Sequence, residues 1–328
     1  MVLSLLVVGK NMTNCEATPL DSKDGSYEEI KDDKGQIVQV ILRNTKGASA
    51  RISLYGGQVL SWKNEQGEEL LFMSSKATFK PPHAIRGGIP ICFPQFGSRG
   101  LLEQHGFARN RTWSIDKQPP SPRINGFNGH ASVDLVLKPS DVDYKVWSNR
   151  FEIRLRVILT EEGHLILRSR VKNINGKPFG FSFAFRTYFA ISDISEVRVE
   201  GLETLDYLDC LQDRKRFTEQ GDALTFESEV DRIYLSSSDV VALFDHGSKR
   251  TFQIRKQGLP DVVCDKLHND LTAVWNPWEK KAKALQDLGD DEYKKMLCVD
   301  GAAIEKPITL KPEEEWSAQL ELSVLSSC

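Results

Sequence analysis

The run FEIRLRVIL at residues 151–159 alternates apolar and charged side chains. All its odd-numbered positions are apolar, and the charged residues between them are Glu152, Arg154 and Arg156. Because successive side chains of a strand point to opposite faces, this pattern predicts a β-strand with one buried and one solvated face. Such strands are typical of antiparallel sheets.

Similar short runs extend over most of the chain: IVQVIL (37–42), ARISLY (50–55), QVLSW (58–62), HLILRSRVKNI (164–174) and residues 316–324. Gly56-Gly57 predicts a hairpin turn between two of them, and the clusters at 118–129 and 138–143 predict turns elsewhere. Helical periodicity is confined to residues 278–289, with Gly289 as the expected helix end. We therefore predict one large all-β domain of antiparallel sheets over residues 31–328, after a variable or disordered tail over 1–30.

Composition narrows the classes of partner. The net charge of −3 and the pI of about 6.1 predict no nucleic-acid surface. No apolar run reaches the ~20 residues of a membrane helix, so we expect no membrane partner. The apolar N-terminus lacks a basic start and a small-residue cleavage site, although a signal peptide stays an alternative. The six cysteines show no C-x-x-C or metal-ligand spacing, which favours reduced thiols in a cytoplasmic protein over disulfides and predicts no metal. We expect a monomer.

Two polar segments interrupt the strand pattern. AIRGGIPICFPQFGSRG (84–100) contains Arg86, and EQHGFARNRTW (103–113) contains Gln104, His105 and Arg109. Because the planar guanidinium fits phosphate and carboxylate, these segments are candidates for binding an anion or sugar hydroxyls. A solvated loop with surface arginines is the alternative that the local pattern leaves open.

A third segment, FSFAFRTYFAISDI (181–194), has one basic residue, Arg186, among aromatic and apolar side chains. A buried charge is costly unless it is paired or faces a cavity, so Arg186 either faces a cleft or forms a structural ion pair, for example with Asp193. Asp231 and Asp300 each adjoin an apolar run. Either could be a general base whose pKa burial adjusts, and a turn-capping role is the alternative.

Six blocks in order carry a resemblance to a known family: IRGGIPICFPQFG, QHGFARNRTW, FRTYFAISDI, EVDRIYL, WNPW and MLCVDGAAIEKPITLKPEEEW. With them, the chain resembles the hexose-6-phosphate mutarotases, the glucose-6-phosphate 1-epimerase branch of the aldose epimerase family, and most of all the plant members. The resemblance covers roughly residues 30 to 325. It implies a single large antiparallel β-sandwich, a galactose mutarotase-like supersandwich, with a cleft on one sheet. It also implies an isomerase that interconverts the α and β anomers of hexose 6-phosphates by acid/base ring opening, without a cofactor.

The resemblance further implies roles for single residues. Arg86, Gln104, Arg109 and Asp231 correspond to substrate contacts, with the arginines on the 6-phosphate and Asp231 on sugar hydroxyls. Asp300 corresponds to the general base, which is glutamate in the best-known members. Because aspartate is one methylene shorter, its reach is an open question.

Arg186 departs from the family pattern H-T-Y-F, whose histidine is the general acid. A guanidinium does not exchange its proton near neutral pH, and general acid catalysis contributes on the order of 10² to 10⁴-fold. Arg186 could still stabilise negative charge on the ring oxygen, and His105 is a candidate substitute acid. The sequence thus leaves open a working epimerase, a catalytically impaired sugar-phosphate-binding homologue, or an allele in which arginine replaces histidine.

Overall fold

The computed structural model describes residues 25–98, 100–119, 130–260 and 274–326, and it is built almost wholly of strands. The first eleven are β1 (Ser26–Lys31), β2 (Ile37–Arg43), β3 (Ser49–Ser53), β4 (Gln58–Lys63), β5 (Ile91–Cys92), β6 (Ser114–Ile115), β7 (Ala131–Leu137), β8 (Phe151–Leu159), β9 (Leu165–Asn173), β10 (Phe179–Phe185) and β11 (Tyr188–Ala190). The others are β12 (Val197–Glu200), β13 (Asp206–Asp209), β14 (Lys215–Thr218), β15 (Leu224–Thr225), β16 (Val230–Tyr234), β17 (Val240–Asp245), β18 (Arg250–Gln257), β19 (Val274–Asn276), β20 (Met296–Val299), β21 (Gly301–Leu310) and β22 (Glu315–Ser326). Two short helices, α1 (Asp141–Val146) and α2 (Trp278–Ala284), accompany them.

These strands form four sheets, and every pairing between described strands is antiparallel. The strand orders are β1-β2-β3-β4, β21-β10-β5, β11-β20-β19-β16-β13-β14 and β15-β12-β17-β18-β22-β9-β8-β7-β6. Buried side chains from all four sheets belong to one apolar cluster. The predicted all-β sandwich architecture is confirmed.

Strand β8 has the buried face and the wetter face that its alternating sequence predicts. Its residues are alternately buried and half-buried along all nine positions. It pairs with β9 from Phe151 opposite Asn173 to Leu159 opposite Leu165. The odd-numbered apolar side chains enter the core, and the charged ones lie on the wetter face, as the period of two requires.

The predicted turn at Gly56-Gly57 joins β3 and β4, and both glycines have positive φ, 82° and 57°. A Cβ on Gly57 would lie 2.7 Å from the indole of Trp113. Only glycine meets both requirements without strain. The hairpin prediction is confirmed.

The helix predicted over 278–289 is wrong in its length. Helix α2 ends at Ala284, where Leu285 turns to an extended conformation and donates its N–H to the carbonyl of Ala282. Leu288 is completely buried, so the chain follows the core instead of continuing the helix. Gly289 lies beyond the helix end.

A second helix, α1, replaces part of the turn predicted over 138–143. Ser140 and Asp143 form a reciprocal capping box, in which each side chain accepts the other residue's backbone N–H. The serine and the acidic residue three positions later therefore start a helix.

The N-terminal strand β1 pairs with β2, so the sheet begins before residue 31, whereas residues 1–24 of the predicted tail lie outside the described residues. Within the described part of the chain, no helix is long and apolar enough to cross a membrane. Three of the six cysteines are described there, and Cys92, Cys210 and Cys298 are all buried free thiols.

Two neighbouring segments of the chain each pass from one sheet to another, and they do so side by side. Strand β10 belongs to the three-stranded sheet and β11 to the six-stranded one, and only Arg186 and Thr187 separate them. Strands β20 and β21 make the opposite passage, with Asp300 alone between them. Since Phe185 pairs with Gly301, this geometry brings Arg186 and Asp300 to one junction.

Candidate active site

Asp300 is a buried carboxyl group at this junction, with 1% of its surface exposed. Its Oδ1 accepts the backbone N–H of Thr187 at 3.0 Å. Its Oδ2 is buried and makes no hydrogen bond within the described residues. Burial raises the pKa of Asp300 well above its ordinary value, although the nearby Arg186 cation and the Thr187 N–H oppose this rise. A carboxylate in this setting has an increased affinity for a proton.

Arg186 is also buried, with 2% exposure. Its guanidinium carbon lies 5.0 Å from the centre of the Trp275 ring and 5.5 Å from that of Tyr188. Its Nη1 lies 3.1 Å from Nε2 of His105. The two aromatic faces and the imidazole thus hold the cation inside the site.

The ion pair with Asp193 that the sequence left open gains no support. Asp193 caps a 3₁₀ helix (Ile194–Glu196) by accepting hydrogen bonds from the N–H and hydroxyl of Ser195. Burial opposes the charge on Arg186, but the acidic groups around it, including Tyr188 and Asp300, raise its pKa above the ordinary value. Arg186 is therefore a permanent cation beside a carboxyl group.

His105 is buried and has a positive φ of 60°, which is uncommon for a residue with a Cβ. Its Nδ1 accepts the backbone N–H of Gly97 at 3.2 Å, and its ring packs edge-on against Phe96. A neutral imidazole accepts a hydrogen bond at only one of its two ring nitrogens, whereas here a donor faces each of them: the Gly97 N–H faces Nδ1 and the Arg186 guanidinium faces Nε2.

The charge environment keeps His105 neutral. Burial lowers the pKa of His105 well below its ordinary value, and the cations of Arg109, Arg186 and Arg86 lower it further. The residue that the sequence offered as a substitute acid therefore holds a second proton poorly at neutral pH.

Arg86 reaches the same centre from the glycine-rich segment. Its Nη1 donates to the hydroxyl of Tyr188 at 3.1 Å, and its guanidinium carbon lies 5.9 Å from the Trp275 ring centre. Its Nε and Nη2 donate to the two oxygens of Asp287, both at 3.1 Å. This bidentate ion pair fixes the orientation of the guanidinium.

Arg109 and Gln104 lie together, because Nη2 of Arg109 donates to the backbone carbonyl of Gln104 at 2.8 Å and approaches its side-chain oxygen at 3.4 Å. Burial lowers the pKa of Arg109. The neighbouring Arg111 points elsewhere and pairs with Asp143 at 2.6 Å and Glu103 at 3.4 Å.

Asp231 belongs to a row of side chains across the six-stranded sheet. It pairs with Trp275, which pairs with Cys298, which pairs with Tyr188. Directly paired residues point to the same face, so Asp231 lies on the face that carries the two aromatic rings. It is 1% exposed, and its Oδ2 is 3.9 Å from Nζ of Lys281.

Arg86, His105, Arg186 and Asp300 lie together at the junction, and Asp231 shares the sheet face of Trp275. Arg109 lies near enough to His105 and Arg86 to interact electrostatically with both, and it holds Gln104 by a hydrogen bond. Sequence reasoning missed Tyr188, Trp275 and Asp287. Tyr188 follows Arg186 by two positions and Trp275 lies in the WNPW block, so both had a signal. Asp287 had none, because its segment reads as a helix.

Sequence comparison relates this chain to the aldose 1-epimerase family. The family model described as aldose 1-epimerase matches residues 38–323. A Cenchrus ciliaris protein, provisionally named glucose-6-phosphate 1-epimerase, is 57% identical over 307 residues, covering 92% of this chain and 89% of the relative. An Escherichia coli K12 protein with the same provisional name is 30% identical over 282 residues, covering 84% of this chain and 86% of the relative.

Solved structures show the same fold. A Salmonella typhimurium protein, provisionally described as a mutarotase, has a TM-score of 0.76 at 24% identity, covering 91% of this chain and 97% of its own. Galactose 1-epimerase from Lactobacillus acidophilus NCFM has a TM-score of 0.65 at 14% identity, covering 93% of this chain and 100% of its own. These similarities confirm the galactose mutarotase-like sandwich.

Proposed function

The chain belongs to the aldose 1-epimerase family, and we propose that it interconverts the α and β anomers of a hexose 6-phosphate by opening and closing the sugar ring. The observation that carries this proposal is the buried carboxyl group of Asp300. One of its oxygens is held by the Thr187 N–H, and the other makes no hydrogen bond within the described residues.

Asp300 acts as the general base in this proposal. Its Oδ2 takes the proton from the anomeric hydroxyl as the bond between the anomeric carbon and the ring oxygen breaks. The raised pKa supports this role, because a base whose pKa approaches the working pH transfers protons most effectively. The steps reverse after the carbonyl end rotates, and the other anomer results.

Arg186 stabilises the negative charge that develops on the ring oxygen, because its fixed cation is buried next to the carboxyl group. It does not supply the proton. Arg86 and Arg109 hold the 6-phosphate, Gln104 supports Arg109, and Asp231 binds sugar hydroxyls.

A second candidate function is a sugar-phosphate-binding protein with little turnover. The observation that favours it is the dense packing of Arg186 against Tyr188, Trp275 and His105 where the family has its acid. Such a protein would bind glucose 6-phosphate without accelerating anomer exchange.

Two-dimensional exchange NMR on equilibrated glucose 6-phosphate tests the proposal, with spontaneous exchange measured in the same buffer. We expect the chain to accelerate exchange of glucose 6-phosphate more than that of glucose, and we expect Arg86→Ala to lose most of this preference. Binding of glucose 6-phosphate without acceleration would support the second candidate. Equal acceleration of both sugars, unaffected by Arg86→Ala, would contradict the assignment of a phosphorylated substrate.

A further inference from the structure

The ring oxygen needs a proton during ring opening, and neither Arg186 nor the neutral His105 is suited to give one. A donor for this chain must be a buried acid that stays protonated at neutral pH and lies beside Arg186. Tyr188 lies two residues after Arg186 and is 2% exposed. Its ring is in contact with the Arg186 guanidinium.

The hydrogen bonding of Tyr188 leaves its proton available. Arg86 Nη1 donates to the phenolic oxygen at 3.1 Å, so a lone pair of that oxygen points at Arg86 and the O–H proton points elsewhere. Within the described part of the chain, that proton has no hydrogen-bond acceptor. The phenol is thus oriented by a cation that does not take its proton.

From this geometry we infer that Tyr188 is the catalytic acid of this chain and gives its phenolic proton to the sugar ring oxygen. This inference rests on the proposed epimerase function. As the carbon–oxygen bond of the ring breaks, its electron pair stays on the ring oxygen and receives the proton of Tyr188, while Asp300 takes the proton of the anomeric hydroxyl. Ring closure returns both protons, so no further reactant is needed.

The surroundings of Tyr188 favour the protonated phenol before the transfer and stabilise the phenolate after it. Burial raises the pKa of the phenol above its ordinary value, so it is protonated at neutral pH, although Arg186 and Arg86 oppose this rise and Cys298 adds to it. An alkoxide leaving the anomeric carbon is a stronger base than a phenolate, so the transfer runs downhill. The two guanidiniums then stabilise the phenolate.

Tyr188→Phe removes the hydroxyl and keeps the ring against Arg186 and Trp275, while Asp287 still holds Arg86. We expect the maximal exchange rate to fall about 10²-fold or more, with a change of less than about threefold in glucose 6-phosphate affinity. The same substitution in an Arg186→His chain should cost less than about fivefold, because the imidazole then supplies the proton.

A purely structural role for Tyr188 would reduce the rate equally in both backgrounds, and that result would overturn the inference. If the unmodified chain accelerates exchange and Tyr188→Phe does so at the same rate, the inference about Tyr188 is overturned and the proposed epimerase function stands. No acceleration by the unmodified chain would contradict both. Fluorotyrosine at position 188 gives an independent readout. It lowers the phenol pKa, and it should therefore shift the alkaline limb of the pH–rate profile to lower pH.

Discussion

The backbone N–H of Thr187 donates to Oδ1 of Asp300 at 3.0 Å. This hydrogen bond links the segment between β10 and β11 to the segment between β20 and β21. The carbonyl of Thr187 accepts the N–H of Val299 at 3.2 Å. Asp300 is therefore held on rigid backbone from both sides, and its other oxygen is left for a ligand. This placement fixes the position of the carboxyl group, although its burial disfavours the charged carboxylate.

Asp300 should make stability depend on pH. Its folded-state pKa is raised, so its contribution is fully present below the unfolded value of about 3.9 and is lost as pH rises through the folded pKa. The facing titratable groups are Arg186, Cys92 and Cys298. We expect Asp300→Asn to gain melting temperature relative to the unmodified chain as pH rises above about 4. Thermal unfolding across pH 4 to 8 measures this, and a constant difference would contradict it.

The Asp300→Asn variant also tests whether Asp300 is the general base. Asp300→Asn should lose about 10²-fold or more of the exchange rate, because an amide is not a base. Asp231→Asn is the comparison, since Asp231 is equally buried but is assigned to substrate binding. It should mainly weaken glucose 6-phosphate affinity. Equal rates for Asp300→Asn and the unmodified chain would exclude Asp300 as the base.

Asp287 should reduce the preference of the site for phosphorylated sugars. Its carboxylate occupies two N–H groups of Arg86, so a phosphate must share or displace it. We expect Asp287→Asn to raise the ratio of glucose 6-phosphate affinity to glucose affinity by about three- to tenfold. Calorimetric titration measures both affinities.

Asp290→Asn is the matched control for Asp287→Asn, because Asp290 lies three residues further and pairs with the exposed Lys76 at 2.8 Å. This variant should leave the affinity ratio unchanged. A lower ratio in Asp287→Asn would mean that Asp287 orients Arg86 for phosphate instead of competing with it.

His105 should contribute stability only above its unfolded pKa. Because its folded-state pKa is lowered, this contribution is present above about 6.5 and is lost as pH falls through the folded value. The facing cations are Arg109, Arg186 and Arg86. We expect the unmodified chain to lose more melting temperature than His105→Gln between pH 7 and pH 5. Parallel losses would show that His105 does not titrate in this range.

Gly88 should tolerate no side chain. It has φ of 61°, and a Cβ there would lie 2.1 Å from the carbonyl oxygen of Val59. We expect Gly88→Ala to cost about 2 to 4 kcal/mol of unfolding free energy. Gly67→Ala, also at positive φ but with nothing within 4 Å of its Cβ, should cost about 1 kcal/mol. Chemical denaturation compares them, and equal costs would rule out the clash.

Much of the fold was predictable because its signals are local. The alternation in β8 needs only the period of a strand, and the Gly56-Gly57 hairpin needs only turn chemistry. The passage between sheets at Arg186 was not predictable, because apolar residues continue on both sides of it. What divides β10 from β11 is pairing with strands more than 100 residues away.

The site was predictable as a set of residues but not as a set of contacts. The resemblance supplied Arg86 and Asp300, yet the Arg86 ion pair joins residues 201 positions apart in sequence. The lowered pKa of His105 likewise depends on three arginines that only the fold brings near it. Tyr188 was visible in the sequence, but its hydrogen bond from Arg86 was not.

The most direct measurement compares anomer exchange of glucose 6-phosphate in the unmodified chain and in Arg186→His, by exchange NMR above the spontaneous rate. We predict clear acceleration by the unmodified chain and a rate within about tenfold of it in Arg186→His, since Tyr188 already supplies the proton and the imidazole only takes over that role. Acceleration by neither chain, although both bind the sugar phosphate, would contradict the proposed epimerase function.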